Sequence, residues 1–325
     1  MPSEFELIAR CFKRPTRHTL LGIGDDGALL APSPGHELVV STDLLVEGTH
    51  FFSDTDPEDL GWKTLAVNVS DMAAMGAVPR WATLGIAIWP ETTSLPTSTL
   101  AGLSSIEWLD AFARGFFACA DEFGVDLIGG DTTRSPSGAR CFSVTIIGEV
   151  PMGQALRRSG AKPGDDVWVS GLPGRAAKGL AILQGKLSLP SLQHEDCLAA
   201  LHRPQPRLAL GLGLRALATS AIDVSDGLLA DLGHILEQSG VSAVLDNVPN
   251  DGAYLAGGDD YELVFTAPAE SAAEIVALSD KLKLSLTKIG RVETGTADTA
   301  SRVRVVDQTG RDITPSHKGY DHFHD

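Results

Sequence analysis

The chain has 325 residues, 43% of them hydrophobic and 21% charged, which is ample core material and more length than one core usually serves. Lys and Arg number 26 against 42 Asp and Glu, a formal charge of −16 that argues against a nucleic-acid partner, and no apolar run reaches the length needed to span a bilayer. Met1 to Phe5 carries no basic stretch leading into an apolar segment, and Cys11, Cys119, Cys141 and Cys197 show no paired spacing, so a cytoplasmic protein with reduced thiols is expected.

Glu4 to Phe12 has helical apolar spacing and stops before Pro15. In Leu20 to Gly27, the glycines at 22, 24 and 27 spell the dinucleotide fingerprint, with Asp43 at a plausible distance for a ribose contact. Pro32 and Pro34 deny that loop the helix whose N-terminus would hold a pyrophosphate. Asp25 and Asp26 would also repel it, at about 4 kcal/mol per close pair for an effective dielectric of 20. The loop suits a cation better than a bare anion. Glu37 to Val40 predicts a short strand ending in Ser41-Thr42-Asp43, and His50 follows as either a phosphate contact or a structural histidine. Asp56-Pro57-Glu58-Asp59 opens a helix that runs to Gly76. Its apolar face is Leu65, Val69, Met72 and Ala73, and Asn68 and Asp71, three apart, are expected to face a cleft.

Trp81 to Trp89 reads as a buried strand and Ser104 to Phe123 as a long helix. Val125 to Ile128 then looks like the end of a strand that delivers Gly129-Gly130-Asp131-Thr132-Thr133, where glycines let a ligand approach the backbone; an ordinary Gly-Asp turn is the alternative. Cys141 to Val150 is another strand. Composition changes near Pro151, which divides the chain into domains 1–150 and 151–325, and Arg157, Arg158 and Lys162 form a positive cluster suited to phosphates or to a solvated linker. Val167 to Leu183 is strand, turn and helix without the Gly-Lys-Ser/Thr ending of a P-loop, and His202 to Ala216 reads as a helix. Ala221 to Gly227 opens a helix with a Leu228, Leu229, Leu232, Ile235, Leu236 stripe. Ser225 or Asp226 would serve as its N-cap, a role that leaves Asp223 unexplained. Gly257-Gly258-Asp259-Asp260 repeats the earlier Gly-Gly-Asp before a strand at Leu263 to Thr266, and His322 and His324 lie in the tail as a transition-metal pair or a frayed end.

Asp26, Asp43, Asp71, Asp131, Asp223 and Asp226 thus fall at strand ends, in Gly-rich turns or on a polar helix face. If they converge, their repulsion calls for several cations, and an all-oxygen ligand set suits magnesium. That combination points to ATP chemistry, with magnesium bridging phosphates. No Ser-His-Asp set or Cys nucleophile asks for a covalent intermediate.

The segments GIGDDGALL, STDLLVEGTHF, WKTLAVNVSDMAAMGA, LIGGDTTRS, RRSGAKPGD, IDVSDGLLADLGHIL, GGDDYEL and KGYDHF, in this order, resemble the thiamine-monophosphate kinase family over nearly the whole chain. The resemblance implies an α/β (α+β) two-domain fold of the aminoimidazole ribonucleotide synthetase superfamily. It places an N-terminal ATP- and magnesium-binding domain, whose sheet pairs across a homodimer, before a C-terminal α/β domain. It implies ATP-dependent phosphorylation of thiamine monophosphate to thiamine diphosphate by in-line transfer. By motif, Asp26, Asp43, Asp71, Asp131, Asp223 and Asp226 match magnesium ligands, with Ser41 and Thr42 beside them. Asp131, Asp223 and Asp226 are the implied catalytic positions, Gly130, Arg158 and Ser225 the nucleotide contacts, and His50, Asp259 and Phe323 the thiamine phosphate contacts. Two departures stand out: Asp259 where the family has Glu, and a short segment from Asp246 to Gly257. A related ATP-dependent synthetase and an acidic cation-binding module are the competing readings.

Overall fold

The computed structural model describes residues 4–88, 104–135, 138–295 and 302–323. The first half runs α1 (Glu4–Cys11), β1 (Thr19–Leu21), β2 (Leu29–Leu30), β3 (His36–Val46), α2 (Pro57–Ala74), β4 (Val78–Ile88), α3 (Ser105–Phe123), β5 (Asp126–Arg134) and β6 (Cys141–Pro151). The second half begins β7 (Asp166–Ser170), α4 (Arg175–Leu183), α5 (Ser191–His202), α6 (Leu208–Leu214), β8 (Ser220–Val224) and α7 (Leu228–Ser239). It continues β9 (Val241–Leu245), α8 (Gly252–Ala256), β10 (Glu262–Ala267), α9 (Ala272–Leu282), β11 (Leu286–Thr294) and β12 (Val303–Val305). Two compact units result: Met1–Val69 with Val78–Met152, and Ser70–Ala77 with Gly153–Asp325. No helix among the described residues is long and apolar enough to cross a membrane.

The first unit is built on a four-stranded sheet, order β3-β6-β4-β5, in which only β4 and β5 run parallel. Helix α2 starts where Asp56 accepts the N–H groups of Glu58 and Asp59. Helix α3 starts at a capping box: Ser104 accepts the Glu107 N–H, and the Glu107 carboxylate accepts the Ser104 N–H. Gly124, in the left-handed region at φ 71°, ends α3. On the sheet, Phe142 stacks against Phe112 at 4.6 Å and Trp108 at 6.1 Å between ring centroids, which locks α3 to β6.

The second unit carries a six-stranded sheet, order β12-β9-β11-β7-β10-β8, antiparallel except for β12 with β9. Strands β7, β8 and β10 are buried along their whole length because apolar clusters cover both faces. One cluster is the Leu228, Leu229, Leu232, Ile235, Leu236 stripe of α7 with its strand partners; the other joins Leu210, Leu214, Ile275, Trp168 and Phe265. Ala73 and Ala74, at the end of α2, lie in the second cluster, which is why that end of the helix belongs with this unit.

Three boundaries differ from expectation. Strand β3 does not end before Ser41 but continues to Val46, and β5 does not end at Ile128 but runs through the glycines to Arg134. In both cases backbone pairing continues across residues of low strand propensity, β3 with β6 and β5 with β4. The helix expected from His202 to Ala216 after a Pro-rich lead is confined to Leu208–Leu214; His202 is the last residue of α5, and Pro204 and Pro206, which supply no N–H, lie in the link between the two helices. Trp89 and His324 lie outside the described residues.

Candidate active site

In the second unit, Asp223 sits near the end of β8, with Ser70 donating to its carboxylate at 2.7 Å. Burial, and then the neighbouring charge of Asp71, push Asp223 up to about 7. The turn Ser225-Asp226-Gly227 follows. Neither Ser225 nor Asp226 is the N-cap of α7; that position falls to Gly227, which offers no side chain. Instead Asp231, one turn into the helix and 2% exposed, points one carboxylate oxygen back at the turn. That oxygen accepts the N–H groups of Ser225 at 3.0 Å and of Asp226 and Gly227 at 3.1 Å each. Burial pushes Asp231 up to about 8, with the charges of Asp223 and Asp226 acting in the same direction.

Two further segments close on this turn. Asp259 and Tyr261 adopt positive φ, 71° and 52°, a conformation costly for a residue with a side chain. They are held there by Asp259 N–H to Ser225 O at 2.7 Å and Tyr261 N–H to Val224 O at 2.8 Å. Gly258 allows the approach, since a Cβ there would lie 2.5 Å from the Ser225 carbonyl oxygen. The tail joins from the other side, with Tyr320 N–H on Asp226 O at 2.9 Å and Ala230 N–H on Lys318 O at 3.1 Å. Phe323, at the end of that tail, is 92% exposed, an aromatic surface with no core role. Asp226 is raised chiefly by burial, against the positive influence of His322, His234 and Arg158; Arg158 also lowers Asp223.

The remaining acids of the Gly-Gly-Asp-Asp-Tyr-Glu segment turn inward. Asp260 accepts the N–H groups of Gly174 and Ala176 and so caps α4, whose own N-cap is a glycine; burial pushes it up to about 7. Glu262, 1% exposed, takes two hydrogen bonds of 2.6 Å from the Arg207 guanidinium and one of 2.6 Å from Ser170 Oγ. Sequence reading missed Asp231, Asp260 and Glu262 as supports. Only Asp231 left a usable signal, an acid in the first turn of a helix that lacks a side-chain cap.

In the first unit the candidates are spread out. Asp26 is exposed in the turn after β1, its N–H on the Asp25 carboxylate at 2.9 Å, and no helix follows the three glycines. Ser41, Thr42 and Asp43 lie in mid-strand on β3; Thr42 Oγ1 meets Thr145 Oγ1 at 2.8 Å, and Asn68 accepts the Asp43 N–H at 3.2 Å. Asn68 is therefore buried as a tie between α2 and β3, correcting the expectation that it faces a cleft with Asp71. His50 Nδ1 accepts the Val46 N–H at 3.0 Å, leaving Nε2 as its proton-bearing nitrogen when neutral. Asp131 is exposed in β5, and Gly130 before it has φ 151° with a Cβ position 1.9 Å from the Leu84 carbonyl oxygen of β4. Strand packing alone therefore requires that glycine. Asp43 shares a register row with Val144, Leu84 and Gly130, while Asp131 falls in the next row with Gly85, Ser143 and Leu44. Adjacent rows face opposite sides, and β3 and β5 are the two edges of the sheet, three strand spacings or about 14 Å apart.

Among the described residues, no three His, Cys, Asp or Glu side chains are grouped closely enough to form a metal site. The donor chemistry of the second unit nonetheless fits a hard divalent cation: Asp71 and Asp223 offer only oxygen donors, and a cation would relieve their mutual repulsion.

Residues 24–150 match the model of the AIR synthase related protein N-terminal domain, and residues 162–302 that of its C-terminal domain. The thiamine-monophosphate kinase of Escherichia coli (strain K12) is 44% identical over 98% of both chains. The crystal structure of thiamine-monophosphate kinase from Stenotrophomonas maltophilia K279a superimposes with a TM-score of 0.78 at 45% identity, covering 93% of this chain and 94% of that one. AaThiL complexed with AMPPCP and TMP gives a TM-score of 0.73 at 29% identity, over 93% and 92%. With identity of this extent over matched lengths, the two-unit α/β chain belongs to the thiamine-monophosphate kinase family, on the AIR synthase related fold.

Proposed function

We propose that this protein transfers the γ-phosphoryl group of ATP to the phosphate of thiamine monophosphate, yielding thiamine diphosphate and ADP by direct in-line displacement. The observation that carries the reading is 44% identity along 98% of a thiamine-monophosphate kinase. Supporting it are the ordered family motifs in the sequence and the Asp223 to Gly227 turn, whose backbone is held by three hydrogen bonds to Asp231.

Asp26, Asp43, Asp71, Asp131, Asp223 and Asp226, with Ser41 and Thr42, are the positions that would hold magnesium. When bound, magnesium neutralises phosphate charge and aligns attacking and leaving oxygens. Gly130, Arg158 and Ser225 serve the nucleotide: Gly130 leaves its backbone bare, Arg158 offers a guanidinium to phosphate, and Ser225 a hydroxyl held by its pinned backbone. His50, Asp259 and Phe323 serve thiamine phosphate, with the exposed Phe323 ring available to stack on a thiamine ring. Asp131, Asp223 and Asp226 are the catalytic carboxylates in this reading.

The protein works as a homodimer in the cytoplasm. Support for pairing is the exposed apolar row Leu38, Val40 and Leu44 on β3, 48%, 60% and 51% exposed, on a sheet whose two edges carry the candidate acids on opposite sides. Sedimentation of the wild type and of Val40→Asp measures that pairing, and a monomeric wild type would refute it. For the reaction, incubation with ATP, magnesium and thiamine monophosphate yields thiamine diphosphate and ADP in equal amounts. Absence of product at every magnesium concentration refutes the reading.

A further inference from the structure

The turn Ser225-Asp226-Gly227 joins a buried strand end to α7, and three successive N–H groups in it point inward rather than to water. A helix start of this kind is normally satisfied by its own N-cap side chain, but Gly227 supplies none. All three donors end on a single oxygen of Asp231, at 3.0 to 3.1 Å, in a place where Asp231 is 2% exposed. The outer, carbonyl side of the same turn is occupied too: Ser225 O accepts from Asp259, and Asp226 O from Tyr320. The turn is thus the hub from which the 257–261 segment and the 318–320 tail both hang, and Asp231 is its inner anchor.

From this geometry we propose that Asp231 is a positioning residue. Through three backbone hydrogen bonds it fixes the turn that presents Asp226 and Ser225, and through that turn it sets the place of Asp259 and of the tail bearing Phe323. The proposal rests on the kinase reading for the roles of those four residues, and not for the anchoring itself. Removing the carboxylate leaves three donors without their acceptor, that of Gly227 buried and those of Ser225 and Asp226 half-buried, so the turn moves rather than tolerating the loss. Loss of Asp231 therefore disturbs the magnesium requirement and the thiamine phosphate KM together, although Asp231 touches neither ligand.

The chemistry of the contact supplies a discriminating variant. Since all three N–H groups use one oxygen, Asn retains an acceptor at that place, and Ala removes it. Asp231→Ala, Asp231→Asn and wild type are compared by amide hydrogen exchange and by steady-state kinetics. Expected for Ala is at least about tenfold faster exchange at 225–227 and 318–320, with at least about tenfold increases in both the half-activating magnesium concentration and the KM for thiamine monophosphate. Asn restores exchange and both constants to within about threefold of wild type. An Ala variant that merely melts earlier, with unchanged exchange at these segments and unchanged constants, overturns the proposal. So does a folded Asn variant that behaves like Ala, because a retained acceptor would then not be what holds the turn; this arm holds even where Ala does not fold. Wild type without kinase activity refutes the functional reading alone, and the exchange comparison then still decides the anchoring.

Discussion

The chain contains two Gly-Gly-Asp segments, and they have different physical roles. Gly129-Gly130-Asp131 is part of an edge strand, with Asp131 exposed and Gly130 pressed against the Leu84 backbone of the neighbouring strand. Gly257-Gly258-Asp259 lies outside any strand, in a segment whose Asp259 and Tyr261 N–H groups bond to the Ser225 and Val224 carbonyls, with Asp259 held at positive φ. The first leaves its carboxylate exposed on a sheet edge. The second fixes the place of its carboxylate through hydrogen bonds to a separate loop. The second glycine of each tripeptide is thus required for a different reason, a close strand at Gly130 and a close turn at Gly258.

The largest expected effect tests the first segment. Asp131→Asn lowers kcat about 10³-fold, about 4 kcal/mol of transition-state stabilisation, while the melting temperature stays within about 1 °C because the side chain is exposed. Turnover assays and thermal unfolding read both, and a fully active variant would make this segment structural only. Gly130→Ala comes next, at about 2–3 kcal/mol of stability in denaturant titration, since its Cβ would sit 1.9 Å from a carbonyl oxygen. Gly129→Ala is the control, within about 0.5 kcal/mol, because nothing lies within 4 Å of its Cβ position. Equal costs at the two positions would remove the strand-packing explanation.

The second segment is probed by pH. Asp260 caps α4 from a buried position, and its folded pKa of about 7 lies above the unfolded value near 3.9. Between those values the native state holds the proton and the unfolded state does not, so Asp260 contributes stability at low pH that is lost as pH rises through 7. From pH 5 to pH 7 the wild type is expected to lose about 2 kcal/mol relative to Asp260→Asn. It is the slope, not the level, that carries the test, and a flat or rising difference contradicts it. The smallest effect is at Asp259. A short polar side chain suits φ 71°, so Asp259→Glu costs about 0.5–1 kcal/mol of stability and changes the KM for thiamine monophosphate by less than about tenfold, with kcat unchanged. A large fall in kcat would instead make this carboxylate part of the chemistry.

Much of this molecule was legible residue by residue. The helix start at Asp56 followed from local capping chemistry, and the long helix from Ser104 and the α7 stripe from apolar period. No helix follows the early three-glycine loop, as the prolines after it, which are also local signals, led one to expect. Strand ends were less legible: β3 and β5 run past their expected limits because pairing partners, absent from a linear reading, carry them through glycine, serine and aspartate. Asn68 looked like a cleft residue and is a buried tie to the Asp43 backbone, since only the fold brings α2 against β3.

Local patterns in the chain pointed to the residues proposed to carry the chemistry: acids beside glycines and hydroxyls, an all-oxygen set of the kind magnesium takes, and ordered motifs that identify the family. Tertiary structure alone decided how the second unit's acids are held. Asp231, Asp260 and Glu262 each satisfy donors from elsewhere in the fold or from a turn behind them, and a buried N–H or guanidinium must find a partner wherever the fold provides one. Such partnerships carry almost no linear signature, because the requirement they meet is created only when the chain closes and water is excluded.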